Sequence, residues 1–469
     1  MKHFLSFLII AGLCATVPCY AKKYKYQITV TIHNTTDSML MLGYYHIEHT
    51  YVIDTAFINK KGQFVFQKNK DLEPGLYFFC NPKGVFAEFA IYNEEPYFKF
   101  ETDDADWTRN MKVYGSKQNE LMFNYHRTNS TLYDETMAKK DSMDSAAFRT
   151  YYIEQRRKMS EYDNNFMREH PNHLLSVMMR AERDVPTPVI DEHGDSLSQK
   201  ARFDYFMEHY FDSMDLGDPV FLRTPKSVFH RKITEYLDKY LKGAPPDIMI
   251  PYIDSMIAKS RPAPKTFHWL VHFITERYLQ SSVMGYDALY VHMVKRYYET
   301  GESTLSSPSF VDEQVIRANK WEKLLLGKVA PELILYDTLG VAHSLHGLPN
   351  KYTLLVFWSP TCGHCKTMVP ALYEKYLKYK DQYDIAGFAI LSEPDEPTTP
   401  LWKKFIQDHH FEWFNLDGAV ANIDWHDVYD VITTPQIYLL DKDKKIIGKH
   451  LNAELFEKIL LFDVEKSDQ

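Results

Sequence analysis

Two cysteines stand three positions apart in Cys362-Gly363-His364-Cys365. At that spacing a pair can close an intramolecular disulfide at the start of a helix. It can also exchange disulfides with another molecule. One thiolate attacks a disulfide sulfur, and the second cysteine, one turn along, resolves the mixed disulfide and releases the product. The thiolate is the reactive species, and an ordinary thiol ionises only near pH ~8.5. The lead-in Phe357-Trp358-Ser359-Pro360-Thr361 reads as a buried strand entering a short turn, with a helix beginning at Cys362. Unpaired N–H groups and the positive helix end then favour a thiolate there. Zinc is the rival chemistry. A structural zinc site wants four ligands, usually from a second C-x-x-C or a His pair. The chain has no second C-x-x-C, so no metal is expected. An inert structural disulfide is the bland alternative.

Positioning this pair requires strands and helices in alternation. Residues 354–357 (Leu-Leu-Val-Phe) and 437–440 (Ile-Tyr-Leu-Leu) are continuous apolar runs, as in central strands buried on both faces. Helical patterns at 365–380, 398–410 and 453–465 separate or follow them, which predicts an α/β domain over 326–469. Residues 22–115 differ. Tyr26, Ile28, Val30 and Ile32 alternate with polar neighbours, Phe64 and Phe66 repeat the pattern, and turn signals recur at Lys61-Gly62, Glu73-Pro74-Gly75 and Asn81-Pro82. This predicts a small antiparallel β-sandwich. Residues 116–325 mix charged and apolar residues at helical spacing. Examples are Phe229, Ile233, Tyr236, Leu237 and Tyr240, and the stretch 269–298. Prolines at 186, 188, 225, 245, 246, 262 and 264 divide this central all-α region. The expected fold is therefore multidomain, with segments 22–115, 116–325 and 326–469.

The chain length of 469 agrees with about three domains. With 54 Lys and Arg against 63 Asp and Glu, the net charge of −9 leaves no broad phosphate-neutralising face, so nucleic acid is not an expected partner. Lys2 and His3, an apolar run over 4–17 and Ala21 have the layout of a secretory signal peptide over 1–21. Cleavage there would remove Cys14 and Cys19 and leave Cys80, Cys362 and Cys365. No other apolar stretch reaches the ~18 residues of a spanning helix, so no integral membrane segment is expected after cleavage. Cys80 ends the apolar run 76–80 and is expected to be a buried, inert thiol.

Cys362-Gly363-His364-Cys365 after a strand ending Phe357-Trp358, together with Thr433-Thr434-Pro435 before the strand at 436–440, resembles the thioredoxin superfamily. The long separation of Cys365 from Pro435 and the lead-in Leu326-Gly327-Lys328-Val329-Ala330-Pro331 are similar to its exported thiol-disulfide oxidoreductases, the envelope reductant branch. The whole layout more faintly resembles exported proteins with an N-terminal β domain and a helical spacer. The resemblance implies that Pro435 is a cis-proline facing the cysteines. It implies that Cys362 attacks and Cys365 resolves, and that Thr434, Pro435 and Trp358 contact substrate. It implies no bound cofactor. The expected partners are protein dithiols or disulfides and a membrane electron-transfer protein, in the periplasm or cell envelope. Gly363-His364 is similar to the disulfide isomerases, where a protonated His stabilises the thiolate and makes the couple more oxidising. The chain also departs from the pattern. Val356 stands where thioredoxins carry a buried Asp, and Met368 where the reductant branch often has Glu. The proton acceptor for Cys365 is thus unassigned; His364 and, more weakly, Glu393 are candidates, Glu393 being read as a solvated loop carboxylate.

Two rival functions follow. A peroxiredoxin-like peroxidase would need P-x-x-x-T-x-x-C, but Leu355 and Ser359 occupy the Pro and Thr positions. An envelope binding or assembly factor with an accessory redox domain is compatible with the bulk of residues 22–325. Elsewhere, His46 and His49 are read as a surface turn, His409-His410 as a helix end, and His272 and His292 as packing residues of helices.

Overall fold

The computed structural model describes residues 24–94, 96–190, 193–303 and 307–467. The expected signal peptide, residues 1–21, lies outside the described residues. The chain divides into two compact units, Met1–Tyr240 and Leu241–Gln469.

The first unit opens with eight strands. These are β1 (Tyr26–His33), β2 (Met39–His46), β3 (His49–Phe57), β4 (Gln63–Lys68), β5 (Gly75–Cys80), β6 (Phe86–Ile91), β7 (Tyr97–Asp103) and β8 (Lys112–Tyr114). They form two four-stranded sheets, β4-β1-β7-β8 and β3-β2-β5-β6. One apolar core joins them, with Ile28 and Val30 of one sheet and Leu42, Phe79 and Phe89 of the other fully buried. The alternation at 26–32 therefore marks the inward face of β1, as its period-2 pattern predicts. One pairing departs from the antiparallel expectation. β1 runs parallel to β7, with Ile28 opposite Phe98. Parallel neighbours need a long crossover, which local patterning does not disclose. His46 and His49 face each other across the β2–β3 hairpin. The helices α1 (Lys117–Met137), α2 (Ser145–Glu169), α3 (Leu174–Ala181), α4 (Gln199–His209) and α5 (Phe229–Glu235) complete this unit.

The second unit starts with α6 (Pro246–Lys259), α7 (Pro264–Leu279), α8 (Asp287–Met293) and α9 (Pro308–Glu322). The division between units thus falls inside the helical run. The pattern at 269–298 is two helices, α7 and α8, broken by a turn in which Gly285 takes a φ of +88°.

A seven-stranded sheet follows in the order β10-β9-β13-β12-β11-β14-β15. Its strands are β9 (Ile334–Asp337), β10 (Ala342–Ser344), β11 (Tyr352–Trp358), β12 (Ile385–Leu391), β13 (Phe414–Ala421), β14 (Gln436–Leu440) and β15 (Ile446–Lys449). Strands β11, β12 and β13 are mutually parallel, and β14 runs antiparallel to β11. The connecting helices are α10 (Gly363–Tyr383), α11 (Thr398–His409) and α12 (Trp425–Val428), and α13 (Ala453–Ser467) closes the domain. Every residue of β11 is buried. Leu354, Val356 and Trp358 enter a core shared with α10 and α13, whereas Leu355 and Phe357 enter a second core on the opposite face. A strand covered on both sides must be apolar at both parities, and this is why 354–357 reads as an unbroken run. The architecture is the multidomain one expected: β-sandwich, helical region and C-terminal α/β domain of thioredoxin type.

Candidate functional site

Strand β11 ends at Trp358, a tight turn follows, and Cys362 is the N-cap of α10. Ser359 Oγ accepts the Thr361 N–H at 3.2 Å, and Ser359 O accepts the Cys362 N–H at 3.3 Å. The turn therefore hands the chain directly to a helix start, where the first N–H groups lack intrahelical acceptors.

Both sulfurs are free thiols. The Cys362 thiol is half-buried and donates to the Thr434 carbonyl oxygen at 3.2 Å. Thr434 precedes Pro435 through a cis peptide bond. Cysteine pair and cis-proline therefore meet across 72 residues of sequence, because β11 and β14 are neighbours in the sheet. Burial pushes the Cys362 thiol up. Hydrogen bonding with Thr434, with the N–H groups of Cys365 and His364 and with the Cys365 side chain outweighs it, and the net shift is downward. Cys365 is fully buried in the core of α10, and burial pushes its thiol up to about 12. One sulfur is thus poised to ionise and reachable. The other is sheltered, and burial favours its protonated form.

The other expected site residues separate into two groups. His364 lies exposed in the first turn of α10, and its backbone N–H supports Cys362. Thr434 and Pro435 are half-buried beside the thiol. Trp358 does not fit the expectation of substrate contact. It is completely buried, with ring centroids 5.3 Å from Phe405 and 6.0 Å from Phe411. Its place at the end of β11 points it into the core face shared with Val356. Val356 is likewise fully buried, and its position in β11 contributes an apolar side chain to this core.

Glu393 is more than a solvated loop carboxylate. It is exposed, yet its Oε2 accepts from Ser359 Oγ and from Thr361 Oγ1, each at 2.9 Å. It ties the loop after β12 to the turn that carries Cys362. Ser359 and Thr361 join the site without a motif of their own. Their only sequence signal is their place just before the first cysteine, since the partner is 34 residues away from Ser359. Cys80 closes β5 and is half-buried; burial alone raises its thiol. Among the described residues, no group of three His, Cys, Asp or Glu is arranged to hold a metal ion, and no helix is long and apolar enough to cross a membrane.

A thiol at the N-cap of a helix, a buried thiol one turn on and a facing cis-proline define a thioredoxin-fold thiol-disulfide oxidoreductase. Comparison with known proteins agrees. Residues 350–446 match the family model described as thioredoxin-like. Residues 26–122 and 185–326 match two domains of unknown function, DUF4369 and DUF5106. A thioredoxin-like protein of Haemophilus influenzae is 31% identical over 143 residues, which is 29% of this chain and 80% of that protein. The thiol-disulfide oxidoreductase ResA of Bacillus cereus is 28% identical over 139 residues, 29% of this chain and 76% of the relative. Among solved structures, a thioredoxin-like protein from Bacteroides caccae aligns at 20% identity over 60% of this chain and 99% of its own, with a TM-score of 0.47. The thioredoxin domain of a thiol-disulfide oxidoreductase from Bacteroides vulgatus aligns at 28% identity over 29% of this chain and 96% of its own, with a TM-score of 0.26. Through its C-terminal domain the chain belongs to the thioredoxin-like family of thiol-disulfide oxidoreductases.

Proposed function

We propose that the protein exchanges thiols and disulfides with polypeptide substrates in the cell envelope, with Cys362 as nucleophile and Cys365 as resolving thiol. The observation that carries this reading is the opposite environment of the two sulfurs. Cys362 is lowered and accessible at a helix N-cap, whereas Cys365 is raised and buried one turn away.

In the reducing direction the Cys362 thiolate attacks one sulfur of a substrate disulfide. A Cys362–substrate disulfide forms and the other substrate sulfur leaves as a thiolate. Cys365 then gives up its proton, to solvent or to the thiolate released in the first step, and attacks Cys362 Sγ. The substrate's second thiolate leaves and a Cys362–Cys365 disulfide remains. The substrate gains two electrons and the protein loses two. Thr434 and Pro435 present their backbone to an extended substrate segment, as an unpaired edge can pair with a strand. The exposed His364 tunes the Cys362 thiolate when protonated. No organic cofactor enters this scheme, since electrons pass between dithiols.

The signal-like residues 1–21 support export, and the periplasm is the compartment this reading assigns. A membrane electron-transfer partner would recharge the pair if it works as a reductant. The test is the reduction potential of the couple, measured by equilibrating purified protein in glutathione buffers. A value near −270 mV would make it a reductant, whereas one near −180 mV would make it an isomerase or oxidant with His364 the first residue to replace. Absence of any two-electron transition linked to Cys362 and Cys365 would sink the proposal.

A further inference from the structure

We infer that the helical segment before the redox domain supplies half of a substrate-binding groove, and that this groove takes a bulky apolar side chain flanking the substrate's reacting cysteine. The inference rests on the exchange reaction proposed above and adds the feature of the substrate that is read.

A cavity of about 480 Å³ opens beside the cis-proline loop. That volume lies within the roughly 300–1,000 Å³ of sites that enclose organic ligands. One wall is the turn between α7 and α8, with Val283 and Met284, and Trp321 of α9. The other wall is the segment leading into β14, with Ile432 and Pro435. Pro435 thus lines both the groove and the reaction site, and the carbonyl before it accepts the Cys362 thiol at 3.2 Å.

The two walls are pinned to each other. Lys449 Nζ pairs with Asp287 at 2.6 Å and donates to the Leu324 carbonyl at 2.9 Å. The Lys449 N–H meets Met284 Sδ at 3.4 Å, and Trp321 Nε1 donates to Asp430 at 2.6 Å. The Lys449–Asp287 pair is nearly dry, with side chains 5% and 14% exposed. A buried pair of this kind is costly to break from one side, so the groove is a pre-formed feature. The same contacts engage Asp287, Asp430 and Lys449 with protein partners, so a ligand meets apolar surface from Val283, Met284 and Ile432 beside uncharged polar groups such as Ser282 and Thr433. That surface faces solvent on both walls: Val283 is 46% exposed and Ile432 is 76% exposed.

The chemistry of the reaction decides the occupant. In the mixed disulfide the substrate is covalently held at Cys362, so the chain flanking its cysteine must lie over Thr434 and Pro435. A side chain entering the groove is then presented at high effective concentration. Polypeptide satisfies both requirements, backbone for the cis-proline loop and a large apolar side chain for the groove.

The test uses the full-length reduced protein and two synthetic peptides. Each bears two cysteines closed as an intramolecular disulfide, so that attack on either sulfur leaves the peptide bonded to Cys362. One carries Phe two residues to either side of each cysteine, and the other carries Gly there. The rate of release of the reduced peptide is read for each. The expected kcat/KM ratio is about tenfold or more in favour of Phe, from burial of an aromatic side chain. In Val283→Asp, a change at an exposed position, the ratio should fall towards one. Equal rates for the two peptides in the wild-type protein would overturn the inference, and so would an undiminished ratio in Val283→Asp. Failure of the wild-type protein to reduce a small aromatic disulfide would instead overturn the exchange reaction itself.

Discussion

Strand β5 of the sandwich and strand β11 of the redox sheet both lead to a cysteine, and the two cysteines sit in opposite environments. Cys80 is the last residue of β5, and its backbone pairs with β2 and β6. Nothing but burial acts on its thiol, which is raised. Cys362 lies one turn beyond β11 and caps a helix instead of ending a ladder. Helix-start N–H groups and the Thr434 carbonyl surround its sulfur, and the thiol is lowered despite burial. Burial alone makes a thiol inert. Unsatisfied backbone donors aimed at the same atom make it reactive.

The largest test of this contrast replaces the sulfurs. Cys362→Ser should reduce disulfide exchange to the uncatalysed background. Cys365→Ala should stop at the first step and accumulate a covalent Cys362–substrate adduct, detectable by mass spectrometry. Adducts on Cys80 at a comparable rate would erase the distinction between the two regions.

A large effect on stability is expected at Trp358. Trp358→Ala opens a cavity in a fully buried site and should cost about 3–5 kcal/mol in chemical denaturation. A near-neutral result would restore Trp358 as a surface residue available to substrate.

The pH dependence sharpens the comparison further. A lowered thiol holds more thiolate at neutral pH than an ordinary one, so alkylation of Cys362 by iodoacetamide should rise with pH and level off below the range of an ordinary thiol. A raised thiol holds less, so Cys80 should react more slowly at every pH below its own inflection. Cys365, raised to about 12, should be slowest of the three. Mass mapping of partly alkylated reduced protein reads all three rates in one sample.

The smallest effect concerns the brace on the cysteine turn. Glu393→Gln removes the charge that accepts from Ser359 and Thr361. Because the carboxylate is solvent-exposed, the loss of stability should stay below about 1.5 kcal/mol. If the brace also aligns the turn, the reactivity of Cys362 will shift while global stability hardly changes. Unaltered alkylation kinetics would reduce Glu393 to a surface residue.

How much of this was legible depended on distance along the chain. The strand–turn–helix around Cys362 is local, and its pattern alone places the cysteine at a helix start. Cores covered on two faces and on one face write different hydrophobic periods, so β11 and β1 could be told apart before any fold was known. The Ser359–Glu393 brace could not be read, because neither residue type nor spacing links positions 34 apart. The parallel pairing of β1 with β7 was hidden for the same reason.

Residue types and local spacing thus determined the candidate pair, its helix-cap setting and the class of each region. Tertiary structure alone decided that the carbonyl before Pro435 meets Cys362, that Trp358 is core, and that helices after Tyr240 share a compact unit with the redox sheet and wall its groove. The physical reason is that propensity and periodicity act over a few residues. Which buried faces meet is settled only when the whole chain competes for the same apolar contacts.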